Sequence, residues 1–144
     1  MSSLGPAASD SANDTRPLVL IVDDFDDARE IYETYLTFRG YRVLTASSGQ
    51  ECLDIASREC PSVVFLDVRM PELTGVDTIH LLRVNPAMAL VPIVALTAYA
   101  LEGERLELLA AGFDEVIAKP CLPDDLETAL IRLLQLPPSV AASH

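Results

Sequence analysis

Aromatic residues are few in this sequence, and tryptophan is absent. Four phenylalanines and four tyrosines are spread over 144 residues, whereas half of all residues are hydrophobic, so aliphatic side chains must fill the core. No apolar run approaches the length that spans a bilayer, and the N-terminus lacks the apolar segment of a secretory signal. The sequence therefore predicts a single cytoplasmic domain that does not enter a membrane.

Residues that commonly bind transition metals are also scarce. The chain has three cysteines and two histidines, with no CxxC pair, so no zinc site has a suitable ligand spacing. We expect the three cysteines to be free thiols in a reducing compartment, where structural disulfides are rare. A zinc-dependent function is therefore not expected.

Positive charge is in short supply as well. Ten basic residues face 22 acidic ones, and the formal net charge is −12. Binding to nucleic acid phosphates requires a cluster of lysine and arginine side chains, so we expect no direct contact with nucleic acid. Nine of the ten basic residues are arginines, and Lys119 is the only lysine. This single ammonium side chain is therefore a candidate for a specific role.

Five short apolar runs alternate with segments in which apolar residues recur at helical spacing. The runs predict strands at 17–22, 41–46, 63–66, 92–96 and 116–118. Apolar strands separated by helices are typical of an α/β fold, with a parallel sheet covered by helices on both faces. We place this domain at 17–136, between a disordered tail at 1–16 and a short tail at 137–144.

Capping residues and helical spacing predict where helices begin and which side chains they bury. Ser48 with Glu51 and Thr74 with Asp77 have the spacing of capping boxes, so a helix should begin at each pair. The apolar spacing also predicts a buried face on the first helix, which includes Ile31, and on the fifth helix, which includes Leu122. It places the fourth helix through Leu106.

Four of the five predicted strands lead directly into a polar functional group. Asp23 and Asp24 follow the first strand, Asp67 the third, Thr97 the fourth and Lys119 the fifth. Individually, the aspartates could cap helices, Thr97 could be a strand residue and Lys119 could be a solvated charge. Because the carboxyl ends of parallel strands meet at one edge, where ligands bind, we predict instead that these side chains form one site.

The chemistry of this set indicates phosphoryl transfer. Three carboxylates at one edge repel each other unless a cation lies among them, and hard oxygen ligands suit Mg²⁺. An unperturbed aspartate has a pKa of about 3.9, so all three can be charged at neutral pH. Mg²⁺, a hydroxyl group and an ammonium group together can cradle a phosphoryl group, and a carboxylate can itself be the nucleophile.

The same residues, at these spacings, resemble the receiver domain of two-component response regulators. The segments DVRMPELTG and PIVALTAYA are similar to the third-strand and fourth-strand signatures of that family, and the likeness covers nearly all of 16–136. The resemblance implies a flavodoxin-like (βα)5 fold. This is a doubly wound, five-stranded parallel sheet with strand order 2-1-3-4-5.

The resemblance also implies a role for each site residue. Asp67 resembles the phosphoacceptor, and Asp24, Asp67 and the backbone carbonyl of Arg69 would ligate Mg²⁺. Asp23 would act through a metal-bound water. Thr97 would bond a phosphoryl oxygen, and Lys119 would pair with the phosphoryl oxygens. The peptide bond between this lysine and the proline after it is often cis in the family, and a cis X-Pro bond costs only about 0.5–1 kcal/mol.

One position departs from the family pattern. Three residues before the lysine the family usually has a switch aromatic, whereas this chain has Val116. A small aliphatic side chain cannot swing a ring between inward and outward rotamers. Tyr99, two residues after Thr97, is an alternative that the sequence alone does not support. We therefore expect phosphorylation to move the loop after Thr97 more than the fifth strand.

The function implied is a phosphorylation-switched signalling module rather than an enzyme. The phosphoryl donor would be a histidine kinase or a histidine phosphotransfer protein, and the output would be a surface that binds an unidentified protein partner. We expect this surface around the fourth helix, fifth strand and fifth helix. Because nothing follows the last helix, the expected protein is a stand-alone receiver or a receiver cut from a longer chain.

Two other interpretations remain open at this point. A pseudo-receiver would bind a partner without ever carrying phosphate, and the missing aromatic keeps this alternative in play. A phosphatase-like enzyme would form an aspartyl-phosphate and hydrolyse it. That chemistry usually needs a second carboxylate close behind the nucleophile, but the residue two after Asp67 is Arg69.

Overall fold

Five parallel strands form one sheet in the computed structural model, which describes residues 15–135. The strand order is β2-β1-β3-β4-β5, and every neighbouring pair is parallel, as predicted. The strands are β1 (Leu18–Val22), β2 (Arg42–Ala46), β3 (Val63–Asp67), β4 (Ile93–Thr97) and β5 (Glu115–Ala118). Each observed boundary lies within one residue of the predicted one.

A helix follows each strand, so the alternation predicted from the apolar pattern is confirmed. The helices are α1 (Asp26–Phe38), α2 (Gly49–Glu59), α3 (Gly75–Arg83), α4 (Glu102–Ala111) and α5 (Pro123–Leu134), with a 3₁₀ turn at Pro86–Met88. Within 15–135, no helix has the length and apolar character needed to cross a bilayer. The predicted tail at 137–144 and all but two residues of the tail at 1–16 lie outside the described residues.

The core is divided by the sheet into two apolar layers. In β1, β3 and β4 every residue is buried, because helices cover both faces of these central strands. Side chains of α2, α3 and α4 pack on one face, and those of α1 and α5 pack on the other. This burial holds the carboxyl ends of the central strands in a fixed position.

Two of the predicted helix starts are stabilised by side-chain caps. At α3, the Thr74 hydroxyl accepts the Asp77 N–H at 3.2 Å and the Asp77 carboxylate accepts the Thr74 N–H at 3.3 Å. At α2, Ser48 accepts the Glu51 N–H at 3.1 Å, but the Glu51 carboxylate accepts the N–H of Ser47, at 2.7 Å. In a reciprocal capping box the Glu51 carboxylate would accept the N–H of Ser48, so one of the two bonds of the predicted box is shifted by one residue.

Two of the predicted buried positions are wrong. Ile31 and Leu122 are both more than half exposed, whereas Tyr32 and Leu36 in α1 and Leu126, Ala129 and Leu130 in α5 are buried. Leu122 is the N-cap residue before the first turn of α5, and Ile31 lies outside the narrow stripe that α1 buries against the sheet. The sequence pattern therefore identified the helices, and its errors lie beside a buried stripe and before a helix start.

A buried carboxylate joins α5 to α1 and to the start of β2. Glu127 is 4% exposed, and its two oxygens accept hydrogen bonds from Arg39 Nε at 3.1 and 3.2 Å. The hydroxyls of Tyr35 and Tyr41 donate to the same carboxylate at 3.2 and 3.4 Å. Burial, with the charge of Glu127 adding to it, raises the pKa of Tyr41 to about 12. A charge this deeply buried is tolerated only because it has these partners.

Glu127→Ala should reduce the free energy of unfolding by about 3 kcal/mol, because it leaves the Arg39 guanidinium and two hydroxyls without their shared acceptor. Urea unfolding monitored by circular dichroism would measure the change. Glu107→Ala, which removes an exposed glutamate from α4, is the matched control and should change stability by less than about 0.5 kcal/mol. Equal stability of the two variants would contradict a structural role for Glu127.

Candidate functional site

The five predicted site residues lie together at one edge of the sheet. Asp67 and Thr97 are the last residues of β3 and β4, Asp23 and Asp24 follow β1, and Lys119 follows β5. The parallel register aligns the ends of neighbouring strands, so all of these side chains leave the sheet in the same region. The polar groups at the strand ends therefore converge as the sequence predicts.

The three aspartates form an acidic cluster. One carboxylate oxygen from each of Asp23, Asp24 and Asp67 lies within 4.8 Å of the others. Asp23 and Asp67 are buried, whereas Asp24 is exposed at the mouth of the site. Two of the three charges are therefore partly removed from water, which makes their mutual repulsion stronger than at an open surface.

Backbone contacts hold Asp23 in position. Its N–H donates to the carbonyl of Ala46 at 3.1 Å, and its Oδ1 accepts the N–H of Phe25 at 2.9 Å. The Arg29 guanidinium donates to the Asp23 carbonyl oxygen at 2.8 Å. This arginine contact was not predicted, because the position of Arg29 depends on the direction in which α1 leaves the sheet.

Lys119 bridges two of the aspartates. Its Nζ lies 2.9 Å from Asp23 Oδ2 and 3.4 Å from Asp67 Oδ2. The backbone N–H of Lys119 donates to the Thr97 carbonyl at 2.7 Å. Burial alone would lower the pKa of Lys119, but the hydrogen bond to Asp23 and the charges of both aspartates raise it overall. The ammonium group is thus kept protonated between the carboxylates. The Lys119–Pro120 bond is cis, as the resemblance implies.

Asp67 is buried, and its carboxylate is held by the backbone of the loop that follows β3. It is 6% exposed, and its Oδ1 accepts the N–H of Arg69 at 3.0 Å. Burial raises the pKa of Asp67 to about 6, with a contribution from Asp23, whereas the Arg69 N–H and the Lys119 ammonium oppose the increase. A cleft of about 420 Å³ opens beside Lys119 and is lined by Phe25, Ala28, Tyr32, Ala98, Pro120 and Cys121.

The donor set fits a magnesium ion. Three carboxylate oxygens within one cation's reach are hard ligands, and the exposure of Asp24 leaves room for the waters that Mg²⁺ retains. A cation among them would also offset the repulsion that burial strengthens. The assignment of Asp23, Asp24, Asp67 and the Arg69 carbonyl to individual ligand roles stays a prediction.

The loop after β4 carries the predicted hydroxyl group. Thr97 is fully buried, and its Oγ1 accepts the N–H of Tyr99 at 3.1 Å. The Arg69 guanidinium carbon lies 4.3 Å from the centroid of the Tyr99 ring, within the range of a cation–π contact. Val116, at the position where the family usually has an aromatic, is buried in the core.

Gly75 is a positioning residue that the sequence analysis missed. A Cβ at this first residue of α3 would lie 2.6 Å from Val68 Cα and 2.7 Å from the Asp67 carbonyl oxygen. Its N–H donates to the Val68 carbonyl at 2.9 Å. The one indication in the sequence is that a glycine directly follows the cap residue Thr74. Most residues are sterically acceptable at the first position of a helix, so a glycine is not required there by the helix itself. The glycine is needed because the loop that follows Asp67 passes so close to α3.

Two of the curated proteins with similar sequences are named as probable transcriptional regulators. Probable transcriptional regulator ycf27 of Porphyra purpurea is 42% identical over 117 residues, which cover 81% of this chain and 47% of that protein. The probable transcriptional regulatory protein TcrX of Mycobacterium tuberculosis is 35% identical over 119 residues, which cover 82% of this chain and 48% of that protein. The chain spans about half the length of these relatives.

Solved structures share the fold. Chemotaxis protein CheY4 of Vibrio cholerae has a TM-score of 0.79 and 31% identity, covering 82% of this chain and 98% of that chain. The receiver domain of a sensor histidine kinase from Pseudomonas aeruginosa has a TM-score of 0.75 and 32% identity, covering 82% of this chain and 97% of that chain. That structure is described with a magnesium ion coordinated in its active site cleft.

The family profile of the response regulator receiver domain matches residues 19–131, which include β2 to β5, all but the first residue of β1 and all of the predicted site residues. The strand order, the acidic cluster and the sequence relatives lead to the same assignment. This chain belongs to the response regulator receiver domain family, the receiving modules of two-component signalling.

Proposed function

We propose that the domain is a phosphoryl-accepting switch in which Asp67 takes the phosphoryl group from a phosphohistidine. The observation that carries this proposal is the contact of Lys119 with both Asp23 and Asp67 inside the acidic cluster. An Asp67 oxygen would form the new P–O bond as the P–N bond to the imidazole breaks, and the imidazole keeps the bonding electron pair. The donor would be a histidine kinase or a histidine phosphotransfer protein.

The residues around Asp67 would each meet one requirement of this transfer. Lys119, already 3.4 Å from Asp67, would pair with the phosphoryl oxygens, and the Thr97 hydroxyl would donate to one of them. Asp24, Asp67 and the Arg69 carbonyl would hold Mg²⁺, and Asp23 would hold one of its waters. The ion, when bound, neutralises charge on the phosphoryl oxygens. The donor's imidazole would approach through the cleft that Lys119 lines.

The site supports a switch rather than a phosphatase-like enzyme. Enzymes that turn over an aspartyl-phosphate usually have a carboxylate close behind the nucleophile as acid or base, and the residue two after Asp67 is an arginine. We propose that the output is a protein contact around α4, β5 and α5. The relatives are named as transcriptional regulators, but the net charge of −12 argues against phosphate contacts by this domain itself.

The three free cysteines support a reducing compartment. None of Cys52, Cys60 and Cys121 forms a disulfide. Structural disulfides are common in proteins of oxidising compartments and rare in the cytosol. We therefore propose that the domain acts in the cytoplasm.

Intact-mass spectrometry after incubation with acetyl phosphate and Mg²⁺ should show one added phosphoryl group on the wild-type chain and none on Asp67→Asn. Asparagine keeps the size of the side chain but is a much weaker nucleophile. Asp77→Asn, on the α3 cap outside the site, is the matched control and should be labelled as the wild type is. A wild-type chain without label would favour the pseudo-receiver interpretation.

Asp24→Asn should lower the Mg²⁺ affinity and the Mg²⁺-dependent labelling rate by about 10- to 100-fold, because it removes one charged ligand from the cluster. A titration of the labelling rate against Mg²⁺ concentration would measure both effects. Asp27→Asn, which removes an exposed acid from the first turn of α1, controls for the change of net charge. Unchanged Mg²⁺ dependence in Asp24→Asn would rule out this metal assignment.

Gly75→Ala should slow labelling of Asp67 by about tenfold or more, because the new methyl group displaces the backbone that carries the nucleophile. The same clash should lower the free energy of unfolding by about 1–3 kcal/mol. Gly103→Ala is the matched control, since a Cβ at Gly103 meets no atom within 4 Å, and it should raise stability by up to about 1 kcal/mol. Wild-type labelling by a folded Gly75→Ala would show that the close approach does not position Asp67.

A further inference from the structure

An exposed pair of side chains connects the loop after β3 to the loop after β4. The Arg69 guanidinium carbon lies 4.3 Å from the centre of the Tyr99 ring. Both residues are exposed, and Tyr99 keeps 53% of its accessible surface in contact with solvent. The pair is therefore a surface feature, and either side chain can move without disturbing the core.

Each member of this pair is bonded through its backbone to a reacting group of the proposed site. The N–H of Arg69 donates to Asp67 Oδ1 at 3.0 Å, and the N–H of Tyr99 donates to Thr97 Oγ1 at 3.1 Å. In the proposed transfer, the Asp67 carboxylate would gain a phosphoryl group and the Thr97 hydroxyl would bond to it. A change at either side chain would therefore reach Arg69 or Tyr99 through a single backbone hydrogen bond.

We propose that the Arg69–Tyr99 stack reads the phosphorylation state of Asp67 and passes it to the start of α4. This inference rests on the proposed function. It assigns to Tyr99 the role of a positioning residue, which acts through Thr97 and Arg69 and does not itself contact the phosphoryl group.

The charge of a phosphoryl group explains why the stack would open. Phosphorylation replaces a single negative charge at Asp67 with a group of about −2 that carries three strong acceptor oxygens. A cation–π contact at an exposed site is weaker than a charge-assisted hydrogen bond from arginine to a phosphoryl oxygen. Arg69, two residues from Asp67, would therefore turn toward the phosphoryl group and leave the face of the Tyr99 ring.

The hydroxyl of Thr97 would act on the same loop. In the structure this oxygen accepts from the Tyr99 backbone, and in the phosphorylated form it would also donate to a phosphoryl oxygen, which draws it toward Asp67. The backbone of Tyr99 would follow, since the two residues are bonded. The Tyr99 ring would therefore lose its contact with the Arg69 guanidinium while the Tyr99 backbone shifts.

The segment beyond Tyr99 ends in an exposed residue at the start of α4. Leu101 is the cap residue of α4, is 76% exposed and provides no side-chain cap bond to the helix. By contrast, Val116 on β5 is buried among core side chains and has no room for a large rotamer change. Movement at the site would therefore reach the surface through the loop at 98–101 rather than through β5.

The test is amide hydrogen exchange of the full chain with and without acetyl phosphate and Mg²⁺, on wild type, Tyr99→Leu, Tyr99→Phe and Arg69→Gln. Intact mass in the same samples gives the labelled fraction, and the exchange response is expressed per labelled molecule. We expect a severalfold change in exchange at 98–103 in the wild type. Tyr99→Phe, which keeps the ring face, should retain this response, whereas Tyr99→Leu and Arg69→Gln should lose most of it.

Phe38→Leu is the matched control, because it removes an exposed aromatic residue on the other helix layer and should respond like the wild type. A labelled Tyr99→Leu with the full response at 98–103 would overturn the inference while leaving phosphorylation of Asp67 intact. Loss of the response in Tyr99→Phe as well would also overturn it, since the phenolic hydroxyl has no part in the stack. A wild type without label would instead overturn the proposed function.

Discussion

The repulsion among three carboxylates gathered at one sheet edge is the constraint on which this structure depends. Two of these groups are buried, so they can coexist only if positive charge lies between them. Lys119 supplies that charge from β5, two strands away from β3 in the sheet. The strand order and the burial of the central strands therefore serve a local electrostatic need as well as the packing of the core.

The sequence was informative wherever a short-range pattern decides the structure. Unbroken apolar runs identified the five strands, and the polar residue that ends each of four runs identified the site. The Thr74–Asp77 cap was also recognisable, because both of its hydrogen bonds lie within one turn. In each case the interaction that forms the structure lies within a few residues along the chain.

Contacts between residues far apart in the sequence could not be predicted in the same way. Arg39 and Glu127 are 88 positions apart, and no short-range pattern pairs them. Gly75 is required because a Cβ there would collide with the backbone of Val68. Ile31 faces solvent because of the orientation in which α1 packs on the sheet. These features depend on the placement of whole elements, which no local pattern encodes.

The Glu127 cluster restricts how two helices can change in sequence. Arg39 from the end of α1 and Glu127 from α5 are joined by paired hydrogen bonds, and the hydroxyls of Tyr35 and Tyr41 donate to the same buried carboxylate. A substitution at one of these positions disturbs the hydrogen bonds of a buried charge, so the positions are expected to change only in combination. An exposed residue such as Glu107 of α4 has no such constraint from burial and can vary singly.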